Sequence, residues 1–430
     1  MTPRVRVVVV DYDGGDLTLE CLRSLVATDW PADALEIVLV DNASPSPVVD
    51  IVSEELPSVR VVRAAANRGF GAGCNLGLRD LDAVDYAALV NNDVVVPAGW
   101  LHPLVEAFGT EAAIGATCPK ILLHDRYREV VVDAPTSTRR LDRRPRGVCV
   151  LGFRAADRDL WARVRFPSGF WGPEYAREQA VVQWTGNGGP ATLLVPAVDG
   201  PTELLLAADR PTRVTLSTAG GTTAVIATST PTWHTVPEGG DALDVIHNVG
   251  STIGPDGYGT DRGYLEVDRG QYDDPVDVGA WCGAGVLLSR DYLHDVGIFD
   301  EELFLYYEDI ELAWRGATRG WRYRTAPESV VRHVHSASTS ANALRTSELN
   351  ERNRLLVLAR HGPRAATRRA LWRFGLATAS YARRDLAAPV ARGDAPNPRT
   401  VSMRLRALGG FVRRARVFSR TNRSIGPDAK

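Results

Sequence analysis

Val5-Arg6-Val7-Val8-Val9-Val10-Asp11-Tyr12-Asp13 sets the class of this molecule. A β-branched run broken only by Arg6 suits a strand buried on both faces, as strands inside parallel sheets are. Leu17–Ala27 then repeats apolar residues at helical spacing through Leu19, Leu22, Leu25 and Val26. The alternation continues with strand-like Leu35–Asp41, helix-like Val48–Leu56, strand-like Val59–Arg63, a helix over Gly73–Leu81 and strand-like Tyr86–Asn91. This βαβα order predicts an α/β fold, a mostly parallel sheet with helices on both faces. Ligands of such sheets bind beyond the carboxyl ends of the strands. Those ends carry Asp11-Tyr12-Asp13, Asp41-Asn42 and Asn91-Asn92-Asp93, so acidic and polar side chains gather along one edge.

Beyond residue 125 the texture changes. Short β-type runs (Ala180–Trp184, Thr192–Val195, Glu203–Ala207, Arg213–Ser217, Thr223–Ala227) alternate with Gly, Pro, Asp and Thr, and helical periodicity nearly vanishes. That spacing predicts a small antiparallel sandwich or barrel over 126–245, inserted between two halves of the α/β domain, 1–125 and 246–341. Trp161, Trp171, Tyr175, Trp184 and Trp233 in the insert could stack on sugars or fill a small core. The α/β texture resumes with Ala280–Leu288, the acidic and aromatic Phe299–Glu311 and strand-like Ser329–His333. Residues 342–430 read as arginine-rich helices broken around Pro389–Pro398.

At 430 residues the chain exceeds one ordinary core, and 44% apolar with 24% charged residues indicates a globular protein of two or three domains. No apolar stretch reaches the ~18–20 residues of a membrane helix, and no signal-peptide pattern opens the chain, so the expected compartment is the cytosol. Five cysteines without CxxC pairs argue for reduced, mostly buried thiols and against a disulfide framework or a zinc site. The net charge of −2 conceals an asymmetry: residues 351–430 hold 19 Lys+Arg against 4 Asp+Glu, leaving 31 against 48 in the rest. Amphipathic basic helices over 351–384 and 402–420 point to peripheral association with an anionic membrane; the alternative is that their apolar faces pack on protein. No feature besides this charge supports nucleic-acid binding, and oligomerisation stays open.

Four stretches carry chemistry. Asn91-Asn92-Asp93-Val94 at a strand's carboxyl end offers either a hard oxygen ligand for Mg²⁺ or Mn²⁺ or an ordinary turn. Glu308-Asp309 with Glu311, after Phe304-Leu305-Tyr306-Tyr307, offers either a general base or a helix start with acidic first-turn residues. His333 and His335 end a β-type run as candidate metal ligands or structural histidines. Asn67-Arg68-Gly69-Phe70-Gly71-Ala72-Gly73-Cys74-Asn75 is a glycine-rich turn into a helix, where backbone N–H groups can approach phosphate or base edges. Its spacing and place differ from the dinucleotide fingerprint and it has no P-loop lysine, which argues against NAD enzymes and ATPases. The acidic turn after the first strand also argues against a sugar nucleotidyltransferase.

Taken in order, these elements resemble glycosyltransferase family 2, in its rhamnosyltransferase-like branch on the GT-A fold. The resemblance runs through Val7–Asp13, Val38–Ser44, Asn67–Asn75, Asn91–Val94, Gly279–Arg290, Gly297–Leu312 and Ala326–Ser338. It implies an inverting, metal-dependent transfer from a nucleotide-sugar donor to a lipid-linked or cell-envelope glycan. It places Asp11, Tyr12, Asp41, Asn67, Arg68, Asn91 and Asn92 on the nucleotide side, and Trp281, Cys282 and Gly283 along sugar and acceptor. Asp93 and His333 correspond to metal ligands, Asp309 to the catalytic base and Glu308 to its neighbour. The implied donor is dTDP-rhamnose first, then UDP-galactofuranose, UDP-galactose or UDP-glucose. The insert departs from minimal members, and Asn91 stands where the metal motif usually has its first acid. A non-catalytic glycan-binding protein on a decayed transferase is the rival from another class; the retained Asp93, Asp309 and His333 argue against it.

Overall fold

A computed structural model describes residues 2–139, 142–172, 174–175, 181–334, 343–391, 393 and 395–421. The first half follows the expected alternation: β1 (Val5–Asp11), α1 (Asp16–Val26), β2 (Leu35–Asp41), α2 (Val48–Glu55), β3 (Val59–Arg63), α3 (Phe70–Gly77) and β4 (Tyr86–Asn91). Then come β5 (Val94–Val95), α4 (Leu101–Glu106) and β6 (Ile114–Leu123). After the insert the sheet gains β7 (Ile246–Asn248), β8 (Asp277–Val278), β9 (Gly285–Ser289) and β10 (Arg322–His333), with α5 (Arg290–Val296) and α6 (Glu308–Ala317) between the last two. The strand order is β8-β10-β6-β9-β4-β1-β2-β3, with β7 beside β6 and β5 beside β10. β1, β2, β3 and β4 run parallel, as β6 and β10 do; β9 is antiparallel between β4 and β6. Every residue of β1 is buried, which explains its near-continuous valines.

α3 begins three residues before the expected Gly73. Gly69, at φ +95°, opens it, and a Cβ there would lie 1.9 Å from the Phe304 carbonyl oxygen. Gly73 and Gly77 let the helix lie directly on β1, where a Cβ would meet Val10 and Val8 at 2.6 and 2.4 Å. The glycine-rich stretch thus serves helix-on-strand packing. Asn75 ends the motif by clipping the Phe299 backbone, donating to its carbonyl at 3.0 Å and accepting from its N–H at 3.0 Å.

The insert is an antiparallel sheet, in the order Gly221–Ala227, Thr212–Thr218, Tyr127–Asp133, Val181–Pro196, Cys149–Ala155, Thr202–Ala207, Thr232–Thr235. It closes on its own core, which includes Val130, Val132, Phe153, Leu193, Leu204, Leu206, Val214 and Leu216. Its two ends are zipped together: Tyr127 and Leu243 exchange backbone hydrogen bonds, and Leu123 donates to Val245.

The C-terminal region is helical: α7 (Ala343–His361), α8 (Arg364–Ala382), α9 (Ala388–Val390) and α10 (Arg399–Thr421). α7 is part of the main core, since Leu355, Leu356, Val357 and Leu358 are all buried. Several basic residues assigned from sequence to a membrane-facing surface are buried instead. Arg352, Arg354 and Arg404 are 3–7% exposed, and Arg360 is spent on Asp300 and Glu311. Four successive apolar residues leave no polar side to a helix, so its neighbours must be covered too. Among the described residues no helix is long and apolar enough to cross a membrane. The five cysteines are free, four of them buried.

Candidate active site

Register brings the first pair of functional side chains together. β10 pairs antiparallel with β5, His333 opposite Val94, and the Val334 N–H donates to the Asp93 carbonyl at 3.0 Å. The His333 Nε2 therefore stands 2.9 Å from Asp93 Oδ1. Its Nδ1 faces the Nδ1 of His247 on β7 at 3.1 Å, and the two histidines and Asp93 are all buried. An ion of the Mg²⁺ or Mn²⁺ class holds octahedral ligands at ~2.0–2.1 Å, which sets neighbouring ligand atoms about 3 Å apart. The Asp93–His333 spacing fits such a pair. In the tautomer that donates its Nδ1–H to His247, His333 would turn the Nε2 lone pair toward a metal, with His247 as the outer partner. Among the described residues no group of three or more His, Cys, Asp and Glu side chains is placed to hold a metal ion. His335 and Ser336–Ser338 lie outside the described residues.

Asp309 occupies the first turn of α6. Its Oδ2 accepts from the Gly283 N–H at 3.1 Å, and Oδ1 accepts from the Ile310 N–H at 2.7 Å. Burial raises its carboxyl above the usual aspartate range; these two bonds oppose the rise, and the nearby charge of Asp261 adds to it. Glu308 is buried, with Oε2 lacking a partner, and burial followed by repulsion from Asp309 pushes its carboxyl up. Burial and mutual repulsion thus raise the two adjacent carboxyls as a pair. Asp261 accepts from Asn248 Nδ2 at 2.6 Å and Ser251 Oγ at 3.0 Å. One cavity of about 280 Å³ is lined by Asn91, His247, Asp261, Cys282, Gly283, Asp309 and His333 together.

The loop before α6 is unusual. Phe304, Tyr306 and Tyr307 have φ of +66°, +68° and +70°, conformations costing on the order of 1–3 kcal/mol each for residues with side chains. Asn353 of α7, fully buried, holds the loop. Its amide nitrogen lies 2.9, 2.9 and 2.7 Å from the carbonyl oxygens of Leu303, Leu305 and Tyr306. Arg352 donates to the Leu303 carbonyl at 2.7 Å and fixes the Asn353 amide through its Oδ1 at 2.8 Å. One turn into α6, Glu311 is gripped by Arg315, Arg360 and His361. Burial alone would raise the Glu311 carboxyl, but the His361 hydrogen bond and the charges of Arg315 and His361 bring it down to about 2.

The nucleotide side is organised by short bonds among the motif residues. Asp11 Oδ1 accepts from Gly14 N–H, Thr18 Oγ1 and Asn92 Nδ2 at 3.1, 2.6 and 3.0 Å, while its buried Oδ2 has no partner. Asp11 and Asn92 thereby brace each other beneath the first turn. Tyr12 is half-exposed at the rim. Asp41 Oδ1 caps the Ser44 N–H at 2.8 Å. Asn42, not singled out from sequence, donates to Asn67 Oδ1 and the Gly69 carbonyl at 3.1 and 3.0 Å, tying the second strand's end to the glycine-rich turn. Arg68 is mostly exposed and pairs with Glu301 at 2.5 Å.

Trp281 departs from expectation. It is fully buried in the main core, edge-on to Phe299, and does not line the cleft; its neighbours Cys282 and Gly283 do. His247, Asp261 and Asn353 are functional candidates that sequence reading passed over. The β-type run Val245–Asn248 just after the insert was the available signal for the first.

Residues 6–161 match the sequence family described as Glycosyl transferase family 2. Among curated proteins no relative matches significantly. Among solved structures the chain is similar to GalNAc-T7 with UDP, GalNAc and Mn²⁺, at 13% identity and TM-score 0.45, over 84% of this chain and 48% of that one. It is similar to the mannosyltransferase PcManGT of Pyrobaculum calidifontis with GDP-Man and Mn²⁺, at 15% identity and TM-score 0.44, over 96% and 87%. A third similarity, to S. aureus TarS 1-349 with UDP-GlcNAc, has 24% identity and TM-score 0.25 over 27% and 34%. The chain therefore spans about half of the GalNAc-T7 chain and a third of the TarS chain in these matches. The family match covers residues 6–161, the stretch that carries β1 to β6 and the start of the insert, and that part of the chain is similar to the family 2 glycosyltransferases.

Proposed function

We propose that this enzyme moves a sugar with inversion from a nucleoside-diphosphate donor to a hydroxyl of a lipid-linked or cell-envelope glycan, with Asp309 as base. The observation that carries the reading is the cavity lined by both Asp309 and His333, whose Nε2 stands 2.9 Å from Asp93 Oδ1. Asp309, fixed by the Gly283 N–H, takes the acceptor proton as the oxygen attacks the anomeric carbon and the bond to the diphosphate breaks. Its raised carboxyl suits that task, since the proton it accepts is held more firmly than by an ordinary aspartate. Asp93 and His333 would hold Mg²⁺ or Mn²⁺, which when bound neutralises charge on the departing diphosphate. Asn42, Asn67 and Asp41 keep the strand ends in place for the nucleotide.

The first donor to test is dTDP-rhamnose, with UDP-galactofuranose, UDP-galactose and UDP-glucose behind it. In thermal-shift titrations with Mn²⁺ one of these donors stabilises the protein. Asp93→Ala loses that metal-dependent stabilisation, whereas Asp309→Asn keeps it and loses ~10²–10⁴-fold in turnover. Retention of more than about a tenth of turnover by Asp309→Asn would remove it as the base, given the usual size of such effects. The finer placement of the enzyme at an anionic membrane rests on α8. That helix turns Trp372 and Leu376 outward, 66% and 52% exposed, among Arg368, Arg369 and Arg373, and no acid occurs between Glu351 and Asp385.

A further inference from the structure

A second, larger cavity, about 1040 Å³, opens between the inserted sheet and the C-terminal helices. It shares Gly259, Tyr307 and Asn350 with the cavity at Asp309, so the two adjoin. At the junction the Gly259 N–H donates to Tyr307 Oη at 3.3 Å. Nothing in the transfer chemistry uses this space, yet three separate parts of the chain line it with the same device. On the insert, the Arg144 guanidinium lies 5.7 Å from the Trp171 ring centre. On the loop after β7, Arg354 reaches over Tyr258 at 4.1 Å, and on α8, Arg384 reaches over Tyr381 at 4.7 Å. Trp171, Tyr258 and Tyr381 all line the cavity. Each is an apolar plate backed by a cation, which favours the C–H face of a sugar and nearby negative charge.

The charge balance points the same way. Arg144, Arg383, Arg384 and Arg404 line the space against one acid, Glu351. Glu351 is already engaged by Arg354, Arg404 and the Tyr258 hydroxyl. Other insert tryptophans do not reach the cavity: Trp184 and Trp233 lie under Arg146 and Arg154, and Trp161 packs edge-on to Phe166. The Tyr175 side chain lies outside the described residues.

We infer that this cavity is an acceptor subsite for an anionic glycan of several sugars, carboxylate- or phosphate-bearing, whose reacting end enters past Tyr307 toward Asp309. The inference rests on the transferase reading above and adds the acceptor's chemical class. Volume supports the length: a space near 1000 Å³ is at the upper end of ordinary ligand sites, more than one sugar ring needs.

Calorimetric titration of the full chain without divalent cation, using three probes, tests it. A hyaluronan hexasaccharide supplies sugar with carboxylates, maltohexaose supplies sugar alone, and inorganic pyrophosphate supplies charge alone. The hyaluronan hexasaccharide is expected to bind at least tenfold more tightly than either other probe. Trp171→Ala and Tyr381→Ala should each weaken it by about tenfold, and Arg383→Gln, an exposed change that leaves the fold intact, by severalfold. Equal affinity for maltohexaose overturns the anionic part, equal affinity for pyrophosphate overturns the glycan part, and wild-type binding by all three variants overturns the location. Binding is read without turnover, so it can fail while transfer by Asp309 stands, and the reverse.

Discussion

α7 and α8 follow each other in the chain, are equally long and equally rich in arginine, and use it in opposite ways. On α7, Arg352, Arg354 and Arg360 are buried and spent on named partners: the Leu303 carbonyl, the Asp256 carbonyl with Glu351, and Asp300 with Glu311. On α8, Arg368, Arg369 and Arg373 are exposed around Trp372 and Leu376. The difference is made by what lies between the arginines. Leu355–Leu358 of α7 is apolar all round and must be enclosed, whereas Ala366, Ala370 and Phe374 of α8 form one buried stripe with a free opposite side. Positive charge in a sequence therefore says little about partners until the apolar pattern beside it has been read.

The strongest way to break this contrast is at Asn353. Asn353→Ala leaves the Leu305 and Tyr306 carbonyls without this donor and the Leu303 carbonyl with Arg352 alone. At about 1–3 kcal/mol for such a loss, turnover should fall between tenfold and a hundredfold while donor affinity holds. Asn353→Asp, equal in size but unable to donate, should fall as far; an active Asp variant would mean that α7 contributes packing alone. The next effect is on α8. Arg369→Gln with Arg373→Gln should reduce binding to phosphatidylglycerol vesicles at low salt by roughly tenfold or more, at ~1 kcal/mol per charge. Activity on a soluble acceptor should be unchanged. Equal wild-type binding to neutral and anionic vesicles would show that the outward arginines serve no membrane role.

The smallest effect concerns pH. As the proposed base Asp309 would have to be ionised, and its carboxyl is raised, so activity is expected to fall as pH drops through a value above the ordinary aspartate range. Asp261 contributes to that rise by its charge. Asp261→Asn should therefore move the acid limb of the kcat/KM profile to lower pH, by less than about one unit. A shift to higher pH would contradict the electrostatic coupling of the two groups.

Much of the α/β half was legible because buried parallel strands are written as β-branched runs, and β1 to β4 fall where the runs do. Asp93 and Asp309 stood out as candidates because each sits in a dense local motif. His333 was placed by its strand, but its meeting with Asp93 depends on the β5–β10 register, which no local pattern encodes. His247, Asp261 and Asn353 are single residues in segments without a motif, brought in by contacts across roughly 50 to 150 positions. Trp281 was misplaced because alternation along an extended segment sends neighbours to opposite sides, so Cys282 facing the cleft buries Trp281.

The zipped ends of the insert impose an order of assembly. Leu123 and Val245 are 122 positions apart, yet their backbones bond directly. β7, which carries His247, can therefore take its place beside β6 only after everything between Leu123 and Val245 has folded back on itself. Closing so long an excursion on an open chain is slow, because its entropy is lost before β7 gains its place beside β6. A pre-formed inserted sheet shortens that search to the few residues around Tyr127 and Leu243. During refolding the metal pair should mature last, well after β1 to β4, and changes that slow the insert should delay activity without altering the nucleotide half.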